Sequence, residues 1–105
     1  MKVIINNTEV DDALLADIAE FLVESQDTVT ENMKTDFFYE VDEEEFSLEN
    51  WTKALVKTML EDDSEYTFIE NNVDIIVKML LDDNVCRTML EDEYNYLHNE
   101  YLEDY

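Results

Sequence analysis

The sequence predicts a mostly α-helical protein, a compact bundle of four to five helices with room for a short strand at the N-terminus or mid-chain. Three observations carry that prediction. The 105 residues include no glycine and no proline, and a many-stranded fold would need tight hairpins built on residues that tolerate positive φ. Apolar residues recur three and four apart along most of the chain, which is helical spacing. Finally, 46% of the residues are apolar, among them one Trp, six Tyr and five Phe. That is enough for one core, and the length suits one domain spanning residues 1–105.

The elements follow in order. Val3, Ile4 and Ile5 form a short apolar run that suits an edge strand or an extended arm. Thr8 and Asp11 then stand three apart, as in a variant capping box, ahead of a stripe of Val10, Leu14, Leu15, Ile18, Phe21 and Leu22. Those positions predict a helix over about residues 9–25. Residues 28–34 suit a helical turn or two. Phe37, Tyr39 and Val41 alternate as a strand would, but Phe38 spoils the alternation, so strand, loop and helix all stay open for residues 35–46. Ser47 is placed to cap a helix with Leu48, Trp51, Leu55 and Met59 on its inner face, ended by Asp62-Asp63-Ser64. A short segment around Tyr66, Phe68 and Ile69 leads to Asn71-Asn72, and then Val73, Ile76, Val77 and Leu80 mark another helical face. Asp82-Asp83-Asn84 either interrupts that helix or lies on its outside. Cys86, Leu90, Tyr94, Leu97 and Tyr101 step by helical intervals almost to the end. Turns needing positive φ must fall on Asn or Asp.

Charge sets this chain apart. Six Lys and Arg stand against 29 Asp and Glu, a formal net charge of -23, where a soluble small domain usually carries a magnitude of roughly 2–8. Repulsion on that scale works against the compact state, so the charge calls for a purpose. It excludes direct nucleic-acid binding, which needs cations against phosphates, and disfavours anionic membrane surfaces. No stretch approaches the ~20 apolar residues of a membrane span, and the apolar run at the N-terminus is too short for a secretory leader. The single Cys86 cannot form an internal disulfide, which fits a reducing cytoplasm or simply a fold that needs no such bridge.

The sequence carries little sign of catalytic or metal chemistry. His98 has Asn95 three residues before it, so the Glu-x-x-His pattern of carboxylate di-metal sites is missing. One Cys and one His make no zinc site. Cys86 and His98 lie about 12 residues apart, roughly 120° around an ideal helix, and so do not form a nucleophile pair on it. Cys86 reads as a core thiol and His98 as a surface residue. Phosphate-cradling loops need glycine. A calcium loop beginning at Asp82 would place Arg87 where its glycine belongs. The expectation is therefore a non-enzymatic protein with no catalytic residue, metal site or cofactor.

The acidic residues themselves are the candidate site. They cluster at Asp42, Glu43, Glu44 and Glu45, with Glu49 nearby; at Glu61, Asp62 and Asp63; at Glu91, Asp92 and Glu93; and at Glu100, Glu103 and Asp104. Any one cluster on its own reads as a solvated face. Taken together they do not, because ordinary surfaces interleave both signs and only Lys2, Lys34, Lys53, Lys57, Lys78 and Arg87 interrupt the field. Carboxylates three or four apart on a helix lie about 5–6 Å apart, comparable to successive phosphates. At the ~1.7 Å of axis per charge of duplex DNA, such a net charge would extend over on the order of 40 Å, about 12 base pairs. A globule of this length measures about 30 Å across.

In size, charge and layout the chain resembles the Ocr-like acidic DNA-mimic proteins that phages direct against restriction and CRISPR enzymes. The tail, with Asn99-Glu100-Tyr101-Leu102-Glu103 inside an acidic, Tyr-rich stretch, is similar to theirs, although no diagnostic motif is shared. The resemblance implies occupation of the basic groove of a nucleic-acid-binding protein, in the host cytoplasm if phage-encoded, with a homodimer left open. Tyr96, Tyr101 and Tyr105 would add contact area there, or else pack at the edge of the core. Against this stands an acidic adaptor that binds a basic protein through a few apolar anchors, with charge only guiding the approach. A carboxylate-based divalent-cation binder is a third reading.

Overall fold

A computed structural model of the chain describes residues 3–5, 7–24, 28–62 and 64–104. The protein opens with an antiparallel hairpin of β1 (Val3–Ile5) and β2 (Thr8–Val10), pairing Val3 with Val10 and Ile5 with Thr8. Ile5 and Val10 point into the core, while Ile4, opposite Glu9, faces solvent. Asn7 takes φ 66° in the turn, the job that the absence of glycine leaves to Asn. The first helix therefore begins later than the apolar stripe implies. It is α1 (Asp12–Glu24), and its cap is Asp11, whose Oδ1 accepts from the Leu14 N–H at 2.9 Å. Thr8 belongs to the strand and not to a capping box.

Helix α2 (Thr28–Glu40) settles residues 35–40, open between strand, loop and helix in the sequence, as helix. Thr30, Lys34, Phe37 and Phe38 are its buried positions. Lys34 reaches back to donate from Nζ to the Val23 carbonyl at 2.7 Å, satisfying an end carbonyl of α1 and placing a cation at the negative pole of that helix. A 3₁₀ turn (Glu43–Glu45) follows. Ser47 then caps α3 (Leu48–Asp62) as expected, its Oγ accepting from the Asn50 N–H at 3.0 Å. Trp51, fully buried, donates from Nε1 to the Lys34 carbonyl at 3.0 Å and so ties α3 to α2.

A 3₁₀ segment (Ser64–Asn72) leads into α4 (Val73–Asp82) and then α5 (Asn84–Asp104). Ile69 of that segment enters the core; the placing of Asp63 and of the Phe68 side chain lies outside the described residues. Asp83 separates α4 from α5: its Oδ1 accepts from the Val85 and Cys86 N–H groups, both at 3.0 Å. Those bonds, the Cys86 N–H first, hold the Asp83 carboxyl below the usual carboxylate range. A carboxylate depressed in the folded state contributes stability above its unfolded pKa, near 3.9, and loses it as pH falls through the folded value. Asp83→Ala should cost about 1 kcal/mol at pH 7, measured by urea unfolding, with the difference from wild type shrinking as pH falls below the ordinary carboxylate range.

Helices α2, α3 and α4 pack in succession along the chain, and α1 and α5 lie against one another and close the other side of the core. Cys86 is buried as predicted, and burial, followed by the nearby Asp83 carboxylate, pushes its thiol up to about 12. With so little thiolate, Cys86 should resist iodoacetamide at pH 8 in the native protein and react only on unfolding, as mass spectrometry would show. The molecule measures 45 × 26 × 24 Å, longer than an even globule of this size. No described helix is long and apolar enough to cross a membrane.

Candidate functional site

Two acidic clusters far apart in sequence meet at one end of the molecule, and aromatic packing brings them there. Phe38, on the inner face of α2, lies at ring-centroid distances of 5.2 Å from Phe46, 5.4 Å from His98, 5.5 Å from Tyr94 and 5.9 Å from Tyr101. Phe46 follows directly on the acidic 3₁₀ turn, and its edge-on contacts with His98 at 5.6 Å and Tyr101 at 5.5 Å pin that turn to α5. Aromatic pairs in such geometry add about 0.5–1.5 kcal/mol each beyond their buried area. His98 is therefore no surface residue. It is half-buried, with its ring stacked on Phe38 at an interplanar angle of 4°.

Around this aromatic base stand exposed carboxylates. Asp42, Glu43, Glu44 and Glu45 come from the turn, Glu100, Glu103 and Asp104 from the end of α5, and Glu40 from the end of α2. Glu43 lines one hollow with Phe46, His98, Tyr101 and Leu102. Tyr39 Oη donates to Asp104 Oδ2 across 3.5 Å, joining α2 to the tail. Tyr96 shows the local field: its hydrogen bond to Glu100, then the charges of Glu100, Glu93 and Glu103, hold the phenol above its ordinary range. Tyr96 is exposed while Tyr101 is buried in the ring cluster; Tyr105 lies outside the described residues.

The cations are gathered elsewhere. Lys34 is buried and Lys2 lies outside the described residues. Lys53 and Lys57 line a shallow hollow with Glu70, Asp74 and Ile75, and the neighbouring hollow holds Glu49, Asp74, Lys78 and Arg87. These four cations form one strip across α3, α4 and the start of α5. Within it Lys53 Nζ pairs with Asp74 Oδ1 at 2.7 Å and Arg87 Nε with Glu91 Oε2 at 3.3 Å. The Lys53–Asp74 hydrogen bond raises the ammonium's pKa and lowers the carboxyl's.

The acidic candidates thus divide. Residues 42–45, 100, 103 and 104 converge. Glu49 and Glu91 lie among the cations, Asp92 is exposed and Glu93 half-buried along α5, and Glu61 is exposed in the last turn of α3. The Asp62 side chain and Asp63 lie outside the described residues. Glu40 is the member that sequence clustering misses, since it stands alone until α2 places it beside the turn. Among the described residues no group of three or more His, Cys, Asp or Glu side chains is arranged to hold a metal ion.

A surface so one-sided predicts a response to salt. At 0.1 M salt, exposed charges more than about 10 Å apart are largely screened from one another, so the melting temperature should rise between 20 mM and 300 mM NaCl. Relief of about 1 kcal/mol corresponds to about 4–8 °C. An unchanged midpoint in a differential scan would mean that the carboxylates are internally compensated.

No family model matches this chain, and no curated protein or solved structure matches it either.

Proposed function

We propose that this protein is a non-enzymatic DNA mimic whose acidic end and flanks occupy the basic groove of a nucleic-acid-binding enzyme, such as a defence nuclease. The observation that carries this reading is the segregation of charge. The exposed Lys and Arg of the described residues share one strip, which meets the acidic end only where Lys53 and Lys57 line a groove with Glu40 and Glu45. The runs at residues 42–45 and 100–104 carry no Lys or Arg of their own. Length supports the same reading, since over the 45 Å long axis duplex DNA carries about 26 phosphate charges, close to the net charge of -23. Pairing would be carboxylate to guanidinium or ammonium, the strong form of hydrogen bond, and would release the enzyme's counterions as DNA does. The bound enzyme loses access to its substrate, and no chemistry is asked of the mimic.

The test is capture on the immobilised protein from nuclease-treated bacterial lysate, eluted with a duplex of about 13 base pairs. Recovery of a DNA-binding enzyme released by duplex and by salt supports the reading. A partner that resists both contradicts it and favours the adaptor.

A further inference from the structure

Beside the acidic end, α2 and α3 leave a groove of about 380 Å³ whose floor is Met33, Phe37, Val41 and Ala54. A cavity of about 150 Å³ already holds a benzene ring, so the groove has room for a large side chain and part of its neighbours. Its rim is polar in a directed way. At one end stand Glu40 and Glu45, and Asn50 holds Glu45 in place, donating from Nδ2 to the Glu45 carbonyl at 2.9 Å and to Oε2 at 3.4 Å. At the other stand Lys53 and Lys57; Lys53 is paired with Asp74 on α4, which leaves Lys57 alone to set against Glu40 and Glu45. The free charge at the mouth is therefore negative, and through Glu45 it is continuous with the acidic turn. An apolar floor with carboxylates at its lip complements an apolar side chain flanked by cations.

We infer that this groove receives an aromatic or large aliphatic side chain flanked by Arg or Lys on the basic partner protein. This inference rests on the mimic reading and adds to it the source of selectivity. Carboxylates alone would attract every basic groove, whereas an apolar anchor between them selects the enzymes that carry a matching side chain beside their cations. Ordinary DNA offers no such pocket, so the contact would let the mimic outbind DNA on its chosen target.

The probes are two peptides, Arg-Arg-Phe-Arg-Arg and Arg-Arg-Ser-Arg-Arg, titrated into the ¹⁵N-labelled protein at 150 mM NaCl. Burying the phenyl ring should make the first bind about 10-fold tighter, with amide shifts at Met33, Phe37, Val41 and Ala54. Ala54→Leu, which fills the floor with a good helix former, should reduce the Phe peptide to the affinity of the Ser peptide and leave the latter unchanged. Met33→Gln should act in the same direction should Ala54→Leu fail to fold. Equal binding of both peptides, shifts confined to residues 42–45 and 100–104, or no binding of either would overturn the inference. So would a dimer that Ala54→Leu dissociates, because a second copy would then be the occupant. The two readings fail separately. If Glu43→Gln with Glu44→Gln leaves both affinities intact while the Phe preference persists, the charge reading falls and the groove stands.

Discussion

Replacing Trp51 by alanine is expected to unfold the protein at low salt. Trp51 is fully buried, packs edge-on against Tyr94 at 5.7 Å and donates its indole N–H to the Lys34 carbonyl. It holds α3 against both α2 and α5. Large-to-small changes of this kind cost about 3–5 kcal/mol, out of the 5–15 kcal/mol that small domains typically have. Here the margin is further reduced by repulsion among exposed carboxylates, so the loss should be sufficient to abolish the cooperative transition in 20 mM salt. Trp51→Phe retains most of the volume but removes the indole N–H from the Lys34 carbonyl, and should cost about 0.5–1.5 kcal/mol. Circular dichroism with urea unfolding separates the two variants. A Trp51→Ala protein of near-native stability would mean that the α2–α3 packing described above contributes little.

The second large effect concerns binding. Neutralising the acidic end with Asp42→Asn, Glu43→Gln, Glu45→Gln, Glu100→Gln, Glu103→Gln and Asp104→Asn should weaken the captured enzyme's affinity about 100-fold. The figure follows from about 0.5 kcal/mol for each exposed charge pair, with each 1.4 kcal/mol a factor of ten. The same variant should melt higher than wild type at low salt, because the repulsion it removes outweighs the few hydrogen bonds these carboxylates accept from Tyr39, Asn50 and Tyr96. Loss of affinity with gain of stability separates a functional surface from a structural one. Neutralising Glu49 and Glu91, which sit among the cations, should have little effect on binding by titration calorimetry.

What the sequence made legible followed physical locality. Helices α1, α3, α4 and α5 announce themselves because their buried residues are apolar at three- and four-residue spacing, and Ser47 caps α3 as its position suggests. Helix α2 hides because two of its buried positions, Thr30 and Lys34, are polar. Once they are admitted, Thr30, Met33, Lys34, Phe37, Phe38 and Val41 form an unbroken helical stripe, and the apparent alternation of Phe37, Tyr39 and Val41 dissolves. Lys34 is buried because the end carbonyl of α1 accepts from it, a partner that no local pattern reveals. The hairpin strand Thr8–Val10 hides for a related reason, since Val10 also fits the start of the α1 stripe.

The site divides in the same way. Each acidic cluster is visible as a run of letters, but the meeting of residues 42–45 with 100–104 depends on Phe46 and Phe38 packing against His98 and Tyr101. Gathering Lys53, Lys57, Lys78 and Arg87 on one strip likewise needs three helices in their places. Charge composition is local information. Charge segregation is a property of the fold.

The most direct test of mimicry is displacement of a labelled duplex of about 13 base pairs from the captured enzyme, followed by fluorescence anisotropy as the protein is added. The account predicts complete release of DNA, with an apparent affinity that falls steeply as salt rises from 50 to 200 mM. Binding of the protein to an enzyme that keeps its DNA, as a ternary complex, would contradict it.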